Sequence, residues 1–186
     1  MRQSLATNRR REYLAMQAVD VLRTQLHAAH GGMAFACQNL SSEQLHHKFP
    51  SATIQAMMPI YVHLVANEDY LVNTMLAGKP TVWESGWCNR LNLDVTESFL
   101  SDGWAAKVRV DDLAMFQQYA QDVYTASDAY LDTLTPDDLD RLIDLPNGAQ
   151  MPLGTFLALV IAGHAMMHAA ELSTLAGLHG AQGSPF

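Results

Sequence analysis

The chain has 186 residues, 49% of them hydrophobic, enough to bury a full core as one domain spanning 1–186. Its formal charge is −8 and its pI about 5.3, and its only basic cluster is Arg9, Arg10 and Arg11. Binding to nucleic acid rests on clustered Lys and Arg, so no DNA or RNA partner is expected, and the three arginines read as a solvated helix start.

Two cysteines, Cys37 and Cys88, are too few for a disulfide framework and suit a reducing cytoplasm. No leader pattern of charged, then apolar, then small residues opens the chain. No uninterrupted apolar run reaches the roughly 18 residues expected of a membrane span, so no membrane partner is expected. The stretch from Phe156 to Ala170 comes nearest and reads as a buried helix.

In chain order, apolar residues recur at helical spacing from Arg11 to Asn39: Leu14, Ala18, Leu22, Leu26, Met33 and Cys37. Gly31 and Gly32 predict a bend there. His27 and His30 lack a third partner and read as surface or helix-end residues. Ser41 with Gln44 makes a capping box for a short helical turn. The adjacent pair His46 and His47 points to different sides and reads as exposed.

A second long helix begins in Ser51–Pro59 and runs to Ala77. It either starts near Pro59 or kinks there. Gly78 and Pro80 stop it. His63, Asn67 and Tyr70 share one of its stripes. The following connection, Pro80 to Val110, is about 30 residues long, against the usual 2–8, and carries Trp83, Trp87 and Trp104. So many tryptophans predict a packed crossover with a short helix over Val95–Leu100. Such a link allows two consecutive long helices to run parallel. Cys88 has no supporting motif for a nucleophile.

Asp111 is the expected N-cap of a third long helix, with Val110 stapling against Met115. Leu113, Phe116, Ala120, Val123, Tyr124 and Leu131 form its apolar stripe, while Gln117, Gln121, Asp122 and Asp128 stay polar. Thr135 to Asp138 caps another short turn, Asn147 and Gly148 make a turn, Pro152 opens the last helix and Gly177 ends it. The segment Leu40–Leu45 echoes Leu134–Leu139, which suggests two helical hairpins joined by the crossover.

The last helix carries the chemistry. His164, His168 and Glu171 fall at i, i+4 and i+7, on a stripe shared with Leu157, Val160, Ile161 and Leu175. Two imidazoles aimed at a core need polar partners, because burying an unpaired polar group costs about 1–3 kcal/mol. A divalent metal is one such partner, with His63 as the natural third ligand. The plainer alternative is that each histidine bonds a carbonyl or water.

These residues bear a resemblance to a known family. A histidine in the second helix, His63, with His164 and His168 followed by Glu171 in the last, is similar to the DinB/YfiT-like metal-binding family. The ending from His168 to Phe186 resembles the tail of one of its branches. The resemblance implies an all-α, up-down-down-up four-helix bundle with a long crossover between helices 2 and 3. It also implies a divalent metal on His63, His164 and His168, and a homodimer. Bacillithiol S-transferases and mycothiol-dependent maleylpyruvate isomerase are the family's clearest activities, so a small thiol is the implied co-substrate. Ala170 stands where that pattern has Gly, and the tryptophan-rich crossover matches no family pattern.

Three neutral imidazoles leave a metal an open position, the composition of a catalytic site. Zn²⁺ suits the donors first, with Ni²⁺ or Fe²⁺ also possible. Glu171 and Asn67 are the candidates for orienting the ligands, Glu171 alternatively acting as a base or fourth ligand. The reading is a metal-dependent enzyme activating a small thiol (S-transferase or isomerase type) or water at a three-His site. The alternative is a non-catalytic bundle that binds a ligand or partner.

Overall fold

The computed structural model describes residues 17–95 and 100–185. They form a mostly helical domain with one small two-stranded sheet. Arg9–Arg11 and Leu14 lie outside the described residues.

Helix α1, Ala18–Cys37, starts at a capping box between Gln17 and Asp20 and buries Leu22, Leu26, Ala29, Met33 and Cys37. The expected bend at Gly31 and Gly32 is absent. The helix runs through both, and Gly32 faces the last helix, where an added Cβ would lie 3.9 Å from that of Ala169. That is ordinary van der Waals spacing, so Gly32 sits in the helix contact without making a turn. Helix α2, Ser42–His46, has the Ser41–Gln44 capping box.

Helix α3, Met57–Glu68, takes Pro59 in its first turn, where the missing N–H costs nothing, and continues as a π-helical stretch, Asp69–Leu76. Gly78, at φ +64°, turns the chain away. Nearly the whole of α3 is buried, which is why its sequence lacks a polar face.

Asp69 ties the crossover down. This carboxylate is 1% exposed and accepts from Val82 N at 2.8 Å, Trp83 N at 2.9 Å, the Tyr119 hydroxyl at 2.9 Å and Asn73 Nδ2 at 2.9 Å. Trp83 and Trp87 pack their rings against Tyr119, Trp87 Nε1 donates to Asp122, and Trp104 Nε1 donates to the Asp94 carbonyl. The short helix expected over Val95–Leu100 falls largely on 96–99, outside the described residues. Helix α4 follows at Asp102–Ala105, capped by Ser101.

Helix α5, Leu113–Leu131, is capped by Asp112, one residue later than expected, whose carboxylate accepts from Met115 N. After a 3₁₀ turn, Pro136–Asp140, comes an unforeseen hairpin. Strand β1, Leu142–Asp144, pairs antiparallel with β2, Gln150–Pro152, with Ile143 opposite Met151. Three residues per strand are too few for alternation to show in sequence, and only the Asn147–Gly148 turn was legible.

Helix α6, Leu153–Phe156, a π-helical stretch, Leu157–Gly163, and helix α7, His164–Leu178, run as one 26-residue helix. By length and composition it could cross a membrane. Here Leu153, Phe156, Leu157, Ile161, Leu172 and Leu175 lie in the core. It continues past Gly177 to Leu178, and Gly180 at φ +78° makes the exit. Two apolar clusters result, one around Met33, Tyr61, Phe116 and Leu172, the other around Leu26, Val72, Phe156 and Leu157.

Candidate metal centre

Helix α7 packs against α1 and α3, and this brings His63 to His164 and His168. One nitrogen from each ring lies within 4.8 Å of the others. Nε2 of His63 and Nε2 of His164 are 3.2 Å apart. Two nitrogens bound tetrahedrally at about 2.0–2.1 Å from zinc would stand roughly 3.3 Å apart. That pair matches the spacing of two ligands on one ion, and the three rings together could hold one divalent metal.

Burial, with His168 and His63 beside it, lowers the His164 pKa from 6.5 to about 4. The ring is thus neutral at physiological pH, the form a metal needs. His63 is 8% exposed, while His164 and His168 are half-buried, so the cluster sits at the edge of the core.

The two residues expected to orient the ligands stand beside them. Glu171 Oε2 lies 2.5 Å from His168 Nδ1, which leaves Nε2 of that ring for the cluster. Asn67 Nδ2 lies 2.9 Å from His63 Nδ1 and 2.8 Å from the His63 carbonyl. The amide nitrogen thus donates to the His63 carbonyl and holds the ring edge at Nδ1, while Nε2 points at His164. Tyr70, on the same predicted stripe, is exposed and faces away.

Both π-helical stretches abut the site. One begins immediately after Glu68, and the other ends at Gly163, beside His164. A Cβ on Gly163 would come 2.9 Å from the Ala158 carbonyl oxygen, so this wide turn is built for glycine. Such insertions re-aim the residues that follow and recur at functional sites.

The residues missed from sequence are Glu68, His30 and Ser127. Glu68 is 6% exposed and accepts from Ser127 Oγ at 2.7 Å, and it bonds His30 Nε2 at 2.8 Å. His30, expected at the surface, is buried and stacked on Tyr124 with centroids 3.4 Å apart. His27 does lie at the surface, paired with Asp128. The available signal was an acidic pair, Glu68 and Asp69, inside an otherwise apolar helix. Glu68 also borders a hollow of about 10 Å³ beside His164, lined with Leu64, Asn67, Leu71, Val160 and Ile161. Among the described residues no Phe, Tyr or Trp lines this hollow, and Trp83 and Trp87 pack instead on Tyr119 of α5.

Fold and site thus define a mostly helical domain with a three-histidine cluster able to hold one metal ion. The chain belongs to the DinB superfamily, whose family model matches residues 25–172. Its fold is similar to the crystal structure of a conserved protein of locus from Enterococcus faecalis, with TM-score 0.73 and 19% identity over 88% of this chain and 98% of that one. No curated protein matches the chain.

Proposed function

We propose that this DinB-superfamily protein is a metal-dependent enzyme that activates a small thiol, in S-transferase or isomerase chemistry, or water. The observation that carries the reading is the convergence of three imidazoles on one point at the edge of the core, with no fourth ligand grouped with them among the described residues. A bound Zn²⁺, or Ni²⁺ or Fe²⁺ in its place, would lower the pKa of a thiol or water there. His63, His164 and His168 would hold the ion, Glu171 would orient His168, and Asn67 would orient His63. Neutral ligands leave the ion its full charge, which favours an anionic nucleophile.

An up-down-down-up four-helix arrangement is the topology most consistent with the long crossover. Leu159, Met166, Met167 and Leu178 are exposed along the last helix, which supports a homodimer. Two free cysteines suit a cytoplasmic setting.

The test has two measurements. Protein purified without added metal should carry close to one divalent ion per chain, and the His164→Ala/His168→Ala variant should carry none. The wild type should then transfer a low-molecular-weight thiol to an electrophile, and the variant should not. Stoichiometric metal retained by the variant would overturn the site. Metal without turnover on any thiol or ester would favour the second reading, a non-catalytic metal-binding protein, for which the shallow hollow beside His164 speaks.

A further inference from the structure

A second cleft, between α1 and α5, lies apart from the histidine cluster. Its volume is about 410 Å³, within the range of small-molecule sites. Tyr61 forms part of its lining, and Tyr61 is about 200° around α3 from His63. The two sites therefore use opposite faces of one helix.

The sequence explains the opening. On α1 the cleft is lined by Gly31 and Ala34, and a Cβ at Gly31 would meet nothing within 4 Å. Opposite, Gln117, Gln121 and Tyr124 form one stripe of α5 at i, i+4 and i+7. Small residues on one wall and long polar ones on the other leave a gap that the core does not fill.

Charge then narrows the ligand. Asp128, the carboxylate that lines the cleft, is already paired with His27 and Arg23, and His30 is held from behind by Glu68. Among the described residues no Lys or Arg lines the cleft. A charged ligand would lose its hydration and meet no free counter-charge. Beside His30 and the His27–Asp128 pair, the cleft offers two carboxamides that both donate and accept, and the two tyrosines. The Tyr124 hydroxyl is buried and makes no well-formed hydrogen bond, its polar neighbour there being the Tyr61 side chain. Such a group calls for a ligand or water partner. The parallel stack of His30 and Tyr124, with 8° between the rings, stiffens this wall.

We propose that the α1–α5 cleft binds a small uncharged molecule that both donates and accepts hydrogen bonds, of the amide class. The probes are nicotinamide and uracil, with nicotinate and benzamidine as charged counterparts of similar size, titrated into the full chain by ligand-observed NMR. At least one neutral probe should bind saturably, and the charged ones should bind about tenfold more weakly or worse. The Gln117→Leu/Gln121→Leu variant, folded by circular dichroism, should lose at least about tenfold in affinity for the neutral probe. The His164→Ala/His168→Ala variant should bind it unchanged, which separates this cleft from the metal site. Failure of both neutral probes to saturate, equal binding of the charged ones, or undiminished binding by the glutamine variant would overturn the proposal.

Discussion

His63 Nε2 stands 3.2 Å from His164 Nε2, although 101 positions of chain separate the two residues. Nothing local holds that spacing; it is set by the packing of α3 on α7. A single His63→Ala substitution should therefore disable the site as fully as a change in α7. We expect metal affinity to fall by more than the 10–100-fold typical of losing an outer partner. Competition against a fluorescent zinc chelator measures it. Affinity within a few-fold of wild type would show that His63 is not a ligand.

Glu171 should act through His168. Replacing it by Gln keeps the size and an acceptor oxygen but removes the charge that holds His168 Nδ1. The expected result is a loss of about 10–100-fold in metal affinity with an unchanged circular dichroism spectrum. If Glu171 were instead a fourth ligand, the coordination number seen by X-ray absorption would drop by one in this variant. The same spectrum thus separates the two roles.

Asp69 is expected to matter for stability. Asp69→Ala strands two backbone N–H groups, a tyrosine hydroxyl and an asparagine amide in the interior. At about 1–3 kcal/mol for each unsatisfied group, partly relieved by relaxation, the loss should reach about 3 kcal/mol or more. Urea denaturation gives the figure. Tryptophan emission should shift to the red in the folded variant, because Trp83 loses its anchor. A stability change below about 1 kcal/mol would contradict this account.

Acid should weaken the metal-free fold through His164. Its folded-state pKa of about 4 lies below the ordinary 6.5, so the folded protein binds this proton less readily than the unfolded chain. Its contribution is therefore complete above pH 6.5 and is lost as pH falls toward about 4. Urea midpoints of chelator-treated protein at several pH values across that window should fall more steeply for the wild type than for His164→Leu. Parallel curves would mean that other groups carry the acid sensitivity. Metal affinity should fall over the same range, as protons compete for the ligand nitrogens.

Much of this was legible along the chain. Helical periodicity in α1 and α5, the Ser41–Gln44 box and the stop at Gly78 all arise from neighbours within one or two turns, and local rules capture such contacts. The spacing of His164, His168 and Glu171 is likewise a property of a single helix. It put the glutamate on the stripe of both histidines, and in the structure Glu171 meets His168.

What sequence could not supply was decided by which helices touch. His30 and His27 sit three residues apart with similar neighbours, yet one meets Glu68 in the interior and the other meets solvent and Asp128. Gly31 and Gly32 spell a bend on paper, but the proximity of α7 turns Gly32 into a contact point. The π-helical turns before His164 and after Glu68 likewise follow from packing, since a single sequence carries no period that announces them. Local hydrogen bonding and hydrophobic spacing determine each helix; the partner of a buried polar group depends on long-range packing, and so only the tertiary structure could assign it.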